Sequence, residues 1–319
     1  MHIPDGFLDV KTAVATCAAA AAGVAWAAAV AQKRMPRRRV PLVGLAAGVI
    51  FAGQMLNFPV AAGTSGHLLG SVLAAVLLGP AGAVVAMTAV LIVQCLLFSD
   101  GGLTALGANI LNMAIVGVLS GYAVYRLAWR FMPHRHGQVA AAAFGAWCAT
   151  VLSALACALE LAASGMVPAR LAVPAMGMVH MVIGAGEAVI TALVLAGIAR
   201  SRPDLLEAAP ATATAPDRRL VLGGLVLGVA LALFAAPFAS ELPDGLEAVA
   251  EKFGFAERAA TVVPAPMSDY RMPGVPWSIA ATGIAGAAGT LLAFALAAGL
   301  ARVLVPRQAT PAPRPSAAP

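Results

Sequence analysis

The chain has 319 residues, 61% of them hydrophobic and 11% charged, with a mean hydropathy of +0.89. Soluble globular domains carry about 25% charged residues, so the composition excludes a water-soluble fold and predicts an all-α, polytopic membrane helical bundle. Disordered, collagen-like and disulfide-scaffold classes are excluded too, because Cys17, Cys95, Cys148 and Cys157 sit in apolar runs without C-x-x-C spacing and read as free thiols. A net charge of +6 would suit nucleic acid, but no basic patch with interleaved aromatics accompanies it.

A hydrocarbon core about 30 Å thick takes roughly 20 apolar helical residues to cross. In chain order, nine apolar runs are candidates: 8–31, 40–58, 67–78, 81–98, 103–129, 139–163, 171–198, 220–239 and 277–304. The third is too short for an ordinary span and predicts a tilted or half-buried element. Nine crossings from an outer N-terminus place fifteen Lys and Arg on the inner side and five outside, namely Lys11, Arg170, Lys252, Arg258 and Arg271. Cytoplasmic loops hold the positive excess, so the N-terminus is expected outside and the C-terminus inside. Omitting the third run destroys this bias. The first run is not expected to be a cleaved signal peptide, because Asp5 and Asp9 precede it and the basic cluster 33–39 follows it.

Composition divides the chain. Residues 1–200 form a seven-helix unit, 201–218 an Ala/Pro/Thr-rich cytoplasmic linker, 219–305 a two-helix hairpin with a long outer loop, and 306–319 a disordered tail.

The opening MHIPDG is the most informative polar segment. With the initiator methionine retained, as a bulky second residue favours, the chain starts with a free amine, a peptide nitrogen and an imidazole in succession. Amine and imidazole, with reference pKa values of about 8 and 6.5, both become ligands near neutral pH. Such a compact nitrogen set suits a metal with planar preference, nickel(II) or copper(II), better than tetrahedral zinc or the oxygen-seeking magnesium and calcium. His67, in GTSGHLLG at the outer mouth of the third run, is the best candidate for a fourth ligand. A lone histidine near an interface is more often structural. The case rests on His2 and His67 falling on one face in a chain with five histidines, whereas His134 and His136 lie in a basic inner loop.

Gln54, Asn57, Gln94, Asp100, Asn109, Asn112, His180 and Glu187 lie within or beside the apolar runs, where polar groups mark a pathway or a buried network. Asn109 and Asn112 are three residues apart, and His180 and Glu187 two turns apart, so each pair can face the bundle interior. Interhelical glue and orientation of the metal ligands are the two readings. No phosphate-loop sequence occurs, nor HExxH, GxSxG or a paired-carboxylate pattern. The chain is therefore expected to be neither an ATPase nor another enzyme, and to hold no permanent cofactor.

Taken together, MHIPDGFLD, GTSGHLLG, LLFSDGGLTALGANILNMAIVG and HMVIGAGEAVIT resemble the CbiM/NikM family, the substrate-binding membrane component of energy-coupling-factor cobalt and nickel transporters. Residues 219–305 resemble the CbiN/NikN-type module through Pro243, Asp244, Gly245, Leu246 and Glu247. The resemblance implies a metal site made of Met1, His2 and His67. It also implies a bacterial inner-membrane location, a membrane coupling subunit and a cytoplasmic ATPase as partners, and nickel(II) or cobalt(II) as the transported ion. Nickel is favoured by the planar nitrogen set and by the fusion of the two modules. Asp100, Asn109, Asn112, His180 and Glu187 are the candidates for orienting ligands or lining a pathway. A stand-alone carrier would be expected to show an inverted repeat, and none is evident; a membrane metal sensor would share the fold without flux. The acidic outer loop reads either as a partner of the N-terminal site or as a passive linker.

Overall fold

A computed structural model describes residues 1–60, 63–207 and 217–305. Its long helices are α1 (Val10–Arg34), α2 (Val40–Gln54), α3 (Ser71–Leu78), α4 (Pro80–Phe98), α5 (Leu106–Phe131), α6 (Arg135–Ala163), α7 (Ala169–Ser201), α8 (Arg218–Phe234), α9 (Gly245–Lys252) and α10 (Ser278–Leu304). A two-stranded antiparallel ribbon, β1 (Phe58–Pro59) with β2 (Ser65–Gly66), is the only sheet among the described residues. The chain is an all-α, multi-pass membrane protein. Of the expected linker 201–218, only the ends are described: α7 runs on to Ser201, one turn forms over Asp204–Glu207, and Asp217 caps α8. The expected tail 306–319 lies outside the described residues.

Each apolar run contains a helix, but the nine are not all full spans. Among the described residues seven helices are long and apolar enough to cross a membrane, while α2 has 15 residues and α3 only 8. At 1.5 Å per residue α3 covers about 12 Å, so the expected span 67–78 is not one helix. Its first residues run without regular structure to Gly70, whose φ of +76° only glycine adopts readily. The backbone is free to do this because Glu187 on α7 accepts the N–H groups of Leu69 at 2.6 Å and Gly70 at 2.9 Å, satisfying donors that lipid could not.

The segment still crosses the bundle. Arg39, at the start of α2, donates to the carbonyl of Leu77 at 3.2 Å, whereas His67 lies beside Met1 at the opposite end. The loops gather at these two ends. Asp9 meets Ser164 at the end holding Met1, and Gln138 meets Leu206 at the end holding Arg39.

Burial sets the order of helices: α4 is enclosed on nearly all sides, and α1 and α8 expose most of their surface. The C-terminal hairpin is part of the bundle. Gly44 and Gly48 of α2 lie against the carbonyls of Phe294 and Thr290 of α10, and Gly286 and Gly289 of α10 lie against Met55 and Phe51. Small residues let helix backbones approach closely, the main source of association within lipid.

Candidate metal site

Residues 1–9 fold back into the helix bundle before α1 begins at its Asp9 cap. Asn109 clamps this segment with both ends of its amide: its Oδ1 accepts the Ile3 N–H at 2.8 Å and its Nδ2 donates to the Ile3 carbonyl at 3.0 Å. Asp5 fixes the next turn, accepting from the Thr104 N–H at 2.7 Å and hydroxyl at 2.6 Å, while its carbonyl accepts from Ala260 N–H at 2.9 Å. Gly6, at φ +89°, is required by the close approach of the Arg258 carbonyl, which a Cβ would overlap. The segment is consequently buried, with Met1 at 5% exposure and Ile3 at 0%.

His67 arrives from the ribbon. Ser65 donates its N–H to the Pro243 carbonyl at 2.8 Å and its hydroxyl to the Leu242 carbonyl at 2.7 Å, tying the ribbon to the outer loop. Gln54 donates to the Leu69 carbonyl at 2.9 Å, and together with Glu187 it fixes the extended segment that carries His67. The His67 ring has Nδ1 3.0 Å from the Leu68 carbonyl, which leaves Nε2 3.3 Å from the Met1 nitrogen.

The loop of the C-terminal hairpin closes the site. Asp244 caps α9: its Oδ1 accepts from Leu246 and Glu247 N–H at 2.7 and 2.9 Å, and Glu247 returns a bond to the Asp244 N–H at 2.8 Å. This is a capping box. The other oxygen, Oδ2, forms an ion pair with the Met1 amine and lies 4.0 Å from His67 Nε2. Gly245 is glycine because a Cβ there would stand 2.6 Å from His180 Cε1 and 3.0 Å from Ile183 Cδ1.

His2 stacks on His67, with ring centroids 5.4 Å apart and planes inclined by 19°. Its Nδ1 is 2.9 Å from Asp100 Oδ1 and its Nε2 3.2 Å from Gln94 Oε1. Gln94 donates in turn to Gln54 at 2.8 Å. Tyr270, from the outer loop, donates its hydroxyl to Asp100 Oδ2 at 2.5 Å. Above these groups a cavity of about 480 Å³, lined by His2, His67, Asp100, Asp244, Glu247 and Tyr270 among others, separates the outer loop from the helices.

Electrostatics follow from this packing. Burial works against the charge of the Met1 amine, but Asp244 outweighs it and holds the amine above its ordinary pKa. Burial would likewise raise both carboxyls; the Met1 amine and His67 instead hold Asp244 well below the carboxylate range, and His2 and Tyr270 do the same for Asp100.

Met1, His2, His67 and Asp100 are thus brought together, with Asn109 and Glu187 acting on the backbone that carries the first three. Two candidates bond to other groups, although His180 borders the cavity that Met1, His67 and Asp244 line. Asn112 donates to Glu160 at 2.6 Å, away from the N-terminus, because the helix passes into a π-helical stretch at Ile110–Val116. His180 holds the Met176 carbonyl at 2.8 Å and packs on Gly245, giving it no bond to Glu187 among the contacts that position either residue. Tyr270 was not among the expected residues; nothing in SDYRM distinguishes it from an ordinary loop aromatic.

Known proteins add to the geometry. Residues 2–205 match the model of CbiM, the cobalt uptake substrate-specific transmembrane region, and residues 218–306 match the PDGLE domain. A protein of Archaeoglobus fulgidus, provisionally designated fused nickel transport protein NikMN, is 38% identical over 95% of this chain and 98% of its own length. The fused nickel transport protein NikMN of Rhodobacter capsulatus is 38% identical over 74% of this chain and 73% of its own. A crystal structure of a truncated transition metal transporter superposes with a TM-score of 0.58 at 33% identity, over 63% of this chain and 99% of that one.

Proposed function

We propose, for a chain that belongs to the CbiM family of substrate-specific transmembrane regions and carries a PDGLE domain behind it, that the Met1 amine, His2 and His67 bind nickel(II) for import. As a family member the chain is a nickel or cobalt transport component and not an enzyme. The observation that carries the finer reading is the meeting of the Met1 nitrogen with His67 Nε2 at 3.3 Å beneath the stacked His2 ring.

The amine, the His2 peptide nitrogen, which gives up its proton to water, and His2 Nδ1 can close two small chelate rings around one ion, and His67 Nε2 supplies a fourth nitrogen. Four nitrogens in a plane suit nickel(II). The ion enters from the outside through the acidic cavity, whose carboxylates attract a dication. It takes the amine from Asp244 as the amine loses its proton. Inward release requires the ligands to separate, and because three of the four nitrogens belong to the chain end, withdrawal of residues 1–3 from the Asn109 clamp removes all three together. The energy comes from a separate cytoplasmic ATPase acting through a membrane coupling subunit, since the chain has no phosphate loop of its own. The location is the bacterial inner membrane, with the basic ends of the helices inside.

Cobalt(II) is the second reading. It is favoured by a relative named cobalt transport protein CbiM, from Sorangium cellulosum, 34% identical over 68% of this chain and 99% of its own length.

The test is metal content of the purified chain with its own N-terminus, beside a form carrying one extra residue before Met1. The native form is expected to retain one nickel and to prefer it over cobalt in competition, and the extended form to lose it. Equal retention by both would place the metal elsewhere.

A further inference from the structure

We propose that Tyr270, in the outer loop of the C-terminal hairpin, is a positioning residue for the metal site that acts on His2 through Asp100. The proposal rests on the reading of Met1, His2 and His67 as ligands.

One phenolic oxygen touches both groups that hold the His2 ring. It donates to Asp100 Oδ2 at 2.5 Å, and the other oxygen of Asp100 stands 2.9 Å from His2 Nδ1. It also accepts from Gln94 Nε2 at 3.4 Å, and the Gln94 oxygen stands 3.2 Å from His2 Nε2. Tyr270, Asp100, Gln94 and His2 therefore form a closed ring of polar contacts. Three of its members come from the N-terminal unit and one from the C-terminal hairpin.

The phenol is held firmly. Its ring stacks on Phe98 at 4.7 Å and 19°, and touches Phe51 at 6.1 Å between centroids. Its backbone, with that of Asp269, is left-handed, at φ of +56° and +53°. Non-glycine residues held this way persist only where their surroundings impose them, commonly at functional sites. Here the strained pair turns the phenol down onto Asp100.

Chelate geometry gives the contact its meaning. An ion bound by the amine and the His2 peptide nitrogen reaches the imidazole only through Nδ1, because the ring closed through Nε2 would be too large. Nδ1 is the atom that faces Asp100. Asp100 thus stands where the ion must approach, and loading exchanges its oxygen for the metal at Nδ1. Gln94 stays on Nε2 as the outer partner that a ligating histidine requires. Tyr270 keeps Oδ2 throughout, so the released carboxylate remains at the rim facing the bound dication. The hydroxyl fixes the ring angle before loading and the counter-charge afterwards.

The experiment is a nickel(II) titration of the full chain, with an unextended N-terminus, in detergent. Affinity and the ligand-field absorption of the bound ion are read for wild type, Tyr270→Phe, Asp100→Asn, the double variant, Tyr122→Phe and His67→Ala. Tyr270→Phe keeps the stack on Phe98 and deletes only the hydroxyl. It is expected to weaken nickel binding by about 10–100-fold, the usual range for an outer partner, and to shift the absorption band. The double variant is expected to bind as Asp100→Asn does, because the hydroxyl works through that carboxylate. Tyr122→Phe, a control on α5 whose ring lies beside Tyr125 and not beside the His2 ring, is expected to match wild type. Wild-type affinity and band in Tyr270→Phe, or losses that simply add in the double variant, would overturn the positioning role while leaving the ligand assignment intact. Unchanged binding by His67→Ala would overturn the ligand assignment and the positioning role with it.

Discussion

Asp244 reaches the Met1 amine across 243 residues of chain with one carboxylate oxygen and caps α9 with the other. The two bonds explain why aspartate stands at this point of the PDGLE sequence. Asparagine could make the cap and glutamate could make the ion pair, but only a short carboxylate does both. The same signature places Gly245 under His180 and buries Leu246, at 1% exposure, beneath the turn.

Asp244→Asn should retain the cap and lose the ion pair. The amine pKa lies above its ordinary value and the Asp244 pKa below its own. The pair therefore stabilises fully between the ordinary values of about 4 and 8. It is lost as pH rises through the raised amine value, or falls through the lowered carboxylate value. The thermal midpoints of wild type and variant, in protein stripped of metal, should differ most near neutrality and converge in alkali. Breaking a buried pair costs at most about 3–5 kcal/mol. A difference that does not change with pH would exclude the ion pair as its source.

Glu187→Gln should disturb His67 without touching it. Leu69 and Gly70 donate to different oxygens of Glu187, and glutamine replaces one of them with an NH2 donor, so one N–H loses its acceptor at a cost of about 1–3 kcal/mol. Nickel affinity, measured by calorimetry, should fall by roughly tenfold or more. Wild-type affinity would show that the segment after β2 holds its place without this carboxylate.

Asn109→Ala removes both bonds to Ile3 and should free the N-terminus. The amine of Met1, a residue only 5% exposed in the folded chain, should become reactive toward an acylating reagent at rates approaching those of an exposed α-amine. Mass spectrometry of the N-terminal peptide over time measures this, and equal labelling of variant and wild type would contradict the clamp.

Gly245→Ala inserts a methyl group 2.6 Å from His180 Cε1. Overpacking of this kind costs about 1–3 kcal/mol, so the thermal midpoint should fall even though alanine is the better helix former. A midpoint at or above wild type would mean that His180 moves aside freely.

Much of this architecture is legible in sequence, and the part that is not has identifiable causes. The apolar runs announce themselves because lipid tolerates nothing else. The third run is recovered only by the charge balance of the loops, since a crossing that is part extended and part helix has no hydropathy signature. His180 and Glu187, two turns apart, read as partners; Glu187 instead serves the backbone of Leu69 and Gly70. That role is invisible until one knows that those two residues are not helical. Asn109 and Asn112 share a helix but not a partner, because the π-helical turn after Asn109 changes the angular step between them. Met1, His2 and His67 could be brought together by topology alone. Tyr270 could not, since its contact with Asp100 depends on a loop conformation with two left-handed residues in succession.

The carboxylate that meets the amine of Met1 is carried by the same chain, on a hairpin locked into α2 through Gly44, Gly48, Gly286 and Gly289. Tethering of this kind sets an effective concentration on the order of millimolar or higher. Supplied by a separate polypeptide, Asp244 would meet the amine only as often as the abundance of that second protein in the membrane allowed. In the fused chain each Met1 amine has one such carboxylate in fixed proportion, so dilution in the bilayer or unequal synthesis of two subunits cannot deprive it.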